Sequence, residues 1–130
     1  MMLDGLVARR LPLAVFSNKY DDFTQHMVQQ RLARWPFIAV RGERSGVPRK
    51  PDPTAAFELA LALNVLPRRI GFVGDSPIDI HTARHAGMIS IGVSWGFRSR
   101  DELHTTGAQY LLNHPADLLT FIDNNANRRF

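Results

Sequence analysis

A chain of 130 residues, 45% of them hydrophobic and 22% charged, has room for one globular domain with a core of its own. It contains no cysteine, which excludes disulfides, thiolate catalysis and cysteine-built zinc sites, and its apolar runs are too short to span a bilayer. The net charge of +4 comes from scattered arginines without a stripe of interleaved aromatics, so neither nucleic acid nor membrane is expected as a partner, and a cytoplasmic setting is.

In chain order, residues 1–10 read as the tail of a helix and Leu11 to Ser17 as a strand. Asp21 to Leu32 reads as a helix with Phe23, Met27, Val28 and Leu32 on its apolar face. Phe37 to Val40 is a short strand after Pro36, and Arg41 to Asp52 is a glycine- and proline-punctuated loop. Pro53 opens a helix to Leu63, with Phe57, Leu61 and the neighbouring alanines facing inward. A turn at Asn64 to Arg69 leads to a strand at Ile70 to Val73. Pro77 to Ala86 then forms a helix ended by Gly87, and Met88 to Ser94 a strand. A turn at Trp95 to Phe97, a short helix at Arg100 to Leu103, a strand at Ala108 to Leu112 and a helix at Pro115 to Ile122 complete a domain spanning 1–123. Residues 124–130 read as a polar tail. Strands alternating with helices predict an α/β fold, a mainly parallel sheet with helices on both faces.

Three segments carry the chemistry. In 70–88, IGFVGDSPIDIHTARHAGM, a buried strand stops at Gly74 and places Asp75 at the carboxyl edge of the sheet, where open α/β sheets bind ligands. Asp79 falls one helical turn later on the same face. Two hard oxygen donors there suit Mg²⁺, which takes carboxylate, water and phosphate oxygens; otherwise Asp75 merely caps the helix. The second segment, Val15-Phe16-Ser17-Asn18-Lys19, ends a strand with a hydroxyl, an amide and a cation beside a helix N-terminus, the makings of an anion seat. The third, Arg49-Lys50-Pro51-Asp52-Pro53, holds the chain extended and can point the Lys50 ammonium into the same edge. Sixteen residues are basic and fourteen of these are arginine, so the two lysines, Lys19 and Lys50, both lie in these segments. That usage favours a compact ammonium where a planar fork would not serve. His81 and His85, four residues apart on one helix, have no third ligand nearby and read as surface or packing residues. Trp95 and Phe97 read as packed loop aromatics rather than the mouth of the site.

Together, in this order and spacing, VFSNK, RKPDP and GDSPIDIHTARHAGM resemble the second, third and fourth motifs of the haloacid dehalogenase-like hydrolase superfamily, and within it the phosphoglycolate phosphatase-like group. The resemblance runs from about Leu6 to Ile122 and takes in Gly92-Val93-Ser94-Trp95-Gly96-Phe97. It implies a three-layer Rossmann-like core and a Mg²⁺-dependent phosphatase that hydrolyses a small phosphate monoester through an aspartyl-phosphate intermediate. By that resemblance Ser17 and Asn18 shape the phosphate seat, and Lys50 neutralises phosphate and nucleophile. Asp75 ligates the metal, and Asp79 is a second ligand or orients water in the outer shell. Lys19 belongs to the substrate site.

One departure weighs against these agreements. The superfamily's first motif, Asp-x-Asp-x-(Thr/Val), supplies the nucleophile from the central strand, and no such segment occurs here; Met2-Leu3-Asp4-Gly5-Leu6 has one carboxylate and no preceding strand. The chain therefore reads as the C-terminal part of a phosphatase, without the central strand and the cap domain, and inactive alone. Three other readings are an inactive fragment or binding module, a phosphomutase of the same superfamily, and a response-regulator receiver domain. The last is disfavoured because its acidic pair should precede the hydroxyl and the lysine. A missing central strand leaves two inward-facing edges. An N-terminal segment, a strand from a second copy in a dimer, or direct pairing of the flanking strands is expected to close them.

Overall fold

A computed structural model describes residues 2–96 and 98–125. Among these residues six α-helices and five strands alternate: α1 (Met2–Ala8), β1 (Leu13–Tyr20), α2 (Asp21–Arg31), β2 (Phe37–Glu43), α3 (Thr54–Leu63), β3 (Gly71–Gly74), α4 (Pro77–His85), β4 (Ile89–Val93), α5 (Arg100–Thr106), β5 (Tyr110–Leu112) and α6 (Pro115–Asn124). A 3₁₀ turn at Pro67–Arg69 leads into β3. Every strand pair is parallel, as an alternating βα chain requires.

Two apolar clusters show the layering. Ala56 and Ala60 of α3 and Ala83 of α4 pack with Ala86, Met88, Phe16 and Phe72. Leu6 of α1 and Leu118 of α6 pack with Leu13, Ile89 and Ile91. Leu13 and Phe16 of one strand thus serve opposite faces, as the period-2 geometry of a strand demands. Helices cover both sides of parallel strands, which is the expected α/β architecture. A paired Arg9–Asp123 contact at 2.7 Å ties α1 to α6.

The strands form two sheets, β1-β2 and β3-β4-β5. Among the described residues β1 pairs only with β2 and β3 only with β4. Their free edges face a cleft of about 1020 Å³ lined by Leu13, Ala14 and Phe16 on one side and Gly71, Phe72 and Val73 on the other. The two strands approach through the Phe16 and Phe72 rings, edge to face with centroids 5.9 Å apart. Direct pairing of the flanking strands, one expected way of closing the gap, is therefore not what the structure shows. The exposures agree: all five residues of β4, with neighbours on both edges, are buried, whereas Val73 of β3 remains 41% exposed.

Two helix faces differ from expectation. Phe23 and Met27 of α2 are exposed, and Thr24 is its buried residue. The helix is rotated because its polar side chains bond the strands beneath it. Asp21 accepts the Gly42 amide at 2.8 Å, Gln25 donates to the Val40 carbonyl at 2.6 Å, and Thr24 donates to the Tyr20 carbonyl at 3.1 Å. In α3 Ala55, Ala56 and Ala60 face inward with Leu59, but Phe57, Leu61 and Ala62 point to solvent. Positions 55, 56, 59 and 60 form one face of the helix, and 57 and 61, four residues apart, lie together on another. The first strand also runs on past Ser17 to Tyr20, and the second past Val40 to Glu43. Residues 126–130, most of the expected polar tail, lie outside the described residues, as does Phe97. No helix among the described residues is long and apolar enough to cross a membrane.

Candidate active site

The site collects in the carboxyl-terminal half of β1 and at the carboxyl end of β3, on either side of the cleft mouth. β3 ends at Gly74, and α4 begins at Pro77 after an N-cap at Ser76. Ser76 accepts the Asp79 amide, so the capping role is filled by serine and the Asp75 carboxylate is left to project from the strand end. Gly74 is required here. A Cβ at this position would fall on the Asp79 side chain, which folds back over the strand terminus.

Lys50 and Asp79 form the centre. The ammonium donates to Asp79 Oδ1 at 2.6 Å, and the two side chains are only 9% and 11% exposed. The other Asp79 oxygen accepts from the Ser76 hydroxyl at 3.1 Å and the Asp75 amide at 3.2 Å. Lys50 is held from β1 as well. Its amide donates to Asn18 Oδ1 at 3.2 Å, and its Nζ sits 5.1 Å from the centre of the Phe16 ring. A cation that is nearly buried needs such a partner set, because an unpaired charge would be costly to desolvate.

Asn18, Lys50, Asp75 and Asp79 are thus brought into one hydrogen-bonded unit. Ser17 lies between Phe16 and Asn18, both of which touch Lys50, and its hydroxyl accepts the Lys19 amide at 3.1 Å. The Lys19 ammonium points elsewhere, 5.2 Å from the Phe23 ring centroid on α2. Trp95 is half-exposed on the loop after β4. His81 and His85 stack with centroids 6.2 Å apart on the outer face of α4.

Asp75 and Asp79 differ as cation ligands. Both Asp79 oxygens are engaged by protein donors, whereas among the described residues the Asp75 carboxylate accepts no hydrogen bond. Asp75 lies under the loop after β4, where a Cβ on Gly96 would collide with its side chain. A half-buried carboxylate that takes no protein hydrogen bond and lies against this loop offers its oxygens to a hard divalent cation. Sequence reasoning did not single out Ser76, Gly96 or the Phe16 ring. Ser76 was legible as a serine three residues before an aspartate at a helix start. The other two depend on long-range packing.

A parallel α/β domain that gathers a buried lysine, a free carboxylate and a hydroxyl–amide pair toward its strand ends presents them at the edge where open α/β sheets bind ligands. The chain belongs to the haloacid dehalogenase-like hydrolase family, whose profile matches residues 1–93. It is 32% identical over 120 residues to the phosphoglycolate phosphatase of Yersinia pestis, covering 92% of this chain and 52% of that protein. It is 30% identical over 118 residues to the phosphoglycolate phosphatase of Synechococcus elongatus, covering 91% and 54%. A crystal structure of a provisionally named phosphoglycolate phosphatase from Lactobacillus delbrueckii subsp. bulgaricus superposes with a TM-score of 0.88 at 36% identity, covering 93% of this chain and 50% of that one. The chain spans about half the length of the curated relatives it matches.

Proposed function

We propose that this chain supplies the phosphate- and metal-binding side of a Mg²⁺-dependent phosphatase acting on a small phosphate monoester of the phosphoglycolate kind. The observation that supports it most is the Lys50–Asp79 unit at the sheet edge beside an Asp75 carboxylate that, among the described residues, accepts no hydrogen bond. Similarity to two phosphoglycolate phosphatases favours this substrate class. In this reading Ser17, with the backbone around it, holds phosphate oxygens, and Asn18 fixes the Lys50 backbone beside them. Lys50 lets a phosphate dianion and an attacking carboxylate share the site, because its charge offsets their repulsion. Asp75 would hold Mg²⁺, which when bound polarises the phosphoryl oxygens. Asp79 keeps Lys50 in place and orients water in the outer shell. The attacking carboxylate would come from a segment that occupies the cleft between β1 and β3, since its end would emerge between Ser17 and Asp75. That segment carries the aspartyl-phosphate step, and without it the chain should bind but not turn over.

Titration of the ¹⁵N-labelled chain with inorganic phosphate and Mg²⁺ tests this. Amide shifts should move at Ser17–Lys19, Lys50 and Asp75–Ser76, and Asp75→Ala should abolish the Mg²⁺-dependent part. A chain that binds neither probe at these positions overturns the proposal. Turnover of p-nitrophenyl phosphate at roughly 1 per second or more that disappeared in Asp75→Ala would overturn the assignment of the nucleophile to another segment.

A further inference from the structure

We propose that His85 is a positioning residue for Lys50, holding the lysine loop from the far end of α4. Helix α4 touches this loop twice. At its first turn Asp79 takes the Lys50 ammonium, and at its last residue His85 meets the loop backbone. The His85 Nδ1 lies 3.0 Å from the Pro51 carbonyl oxygen. A carbonyl only accepts, so Nδ1 carries the proton and donates. Pro51 adjoins Lys50, and its own nitrogen has no hydrogen to anchor the chain at this point. Neighbouring backbone anchors are the Lys50 amide on Asn18, the Asp52 amide on the Arg49 carbonyl at 2.9 Å and the Thr54 amide on the Asp52 carboxylate at 2.8 Å. Asn18 ties the loop to β1, and His85 ties it to the helix that carries Asp79.

This matters because β1 and β3 belong to separate sheets among the described residues. Lys50 must reach across from the β1 side to a carboxylate on the β3 side. The Lys50–Asp79 bond fixes only the tip of a flexible side chain with four rotatable bonds. The His85 bond fixes the backbone from which that side chain departs, in the same rigid body as Asp79. The His81 ring lies alongside, nearly parallel, with centroids 6.2 Å apart. Because His85 is exposed and outside the apolar clusters, this contact sets geometry rather than fold.

The role of Lys50 toward phosphate rests on the phosphatase reading, but the positioning itself does not, and the test separates them. The chain has two lysines, so ¹⁵N NMR of side-chain ammonium groups shows at most two signals, assignable through Lys19→Arg. In the native chain Lys50 should give a slowly exchanging signal. His85→Ala should speed its exchange, and should weaken inorganic phosphate binding about fivefold, the weight of one hydrogen bond. Its melting temperature should stay near the native value. His85→Asn places an amide N–H close to where Nδ1 lies and should restore both readouts. The proposal is overturned if the native chain shows no protected Lys50 ammonium, if His85→Ala leaves it unchanged, if His85→Asn is as defective as alanine, or if His85→Ala fails to fold. A native chain that binds no phosphate but shows the exchange pattern refutes the phosphatase reading and leaves the positioning role standing.

Discussion

Replacing Lys50 by methionine keeps most of the stem volume and deletes the charge, leaving the Asp79 carboxylate nearly buried without its cation. Removing one partner of a buried pair costs about 3–5 kcal/mol. Here Asp79 keeps the Ser76 hydroxyl and the Asp75 amide, and the cleft lies alongside, so we expect the lower end, about 3 kcal/mol. Against a domain stability of roughly 5–15 kcal/mol this is a large shift. Arg49→Ala is the control, because its ion pair with Glu43 is 3.5 Å long with side chains 59% and 28% exposed. Such a pair contributes under about 1 kcal/mol. Asp79→Asn should cost about 2 kcal/mol alone. The double variant Lys50→Met/Asp79→Asn should lose less than the two single losses combined by about 2 kcal/mol, since no orphaned charge remains. The assay is urea unfolding followed by far-ultraviolet circular dichroism at pH 7 and low micromolar protein. If Lys50→Met unfolds within about 1 kcal/mol of the native chain, or the double variant is additive within about 0.5 kcal/mol, the Lys50–Asp79 pair is not the buried unit described.

Three further outcomes are expected. The open edges of β1 and β3 should make the chain associate with concentration, and Val73→Lys, which sets a charge on the cleft wall, should shift it toward monomer by sedimentation velocity; a native chain that stays monomeric at about 100 μM contradicts this. Gly96→Ala should weaken Mg²⁺ binding at least as much as it alters stability, because the new methyl meets the Asp75 side chain; unchanged binding by calorimetry would count against Asp75 as the ligand. The Gly42 amide bond holds the Asp21 carboxyl below its usual range, ahead of weaker help from Gln25 and the charges of Arg44 and Arg41. A lowered carboxylate pKa stabilises the fold above the unfolded value of about 3.9 and loses that stabilisation as pH falls through the folded value. Asp21→Ala should therefore cost about 1 kcal/mol at pH 7 and progressively less below about pH 4, and a cost that stays constant to pH 2 would refute the assignment.

The element order and the strand-end placement of Asp75 were legible from local signals: apolar runs stopped by Gly74 and Gly87, prolines at helix starts, and period changes between strands and helices. The grouping of Ser17, Lys50 and Asp75 was legible only through three motifs in a known order, since nothing local tells residue 17 that it will neighbour residue 50. The helix faces were misjudged where polar residues outcompeted apolar ones. Asp21, Thr24 and Gln25 turned α2 inward because strand backbone groups lay within reach, and Phe23 and Met27 were left outside. Local composition thus determined which segments are strands and helices, because hydrogen bonding within and next to a segment is short-ranged. Tertiary packing alone decided that Asp79 is committed to Lys50 while Asp75 stays free, that Gly96 roofs the Asp75 carboxylate, and that His85 reaches Pro51. Each of these depends on which surfaces two distant elements present when they meet, and that geometry has no signature in the spacing of residues along the chain.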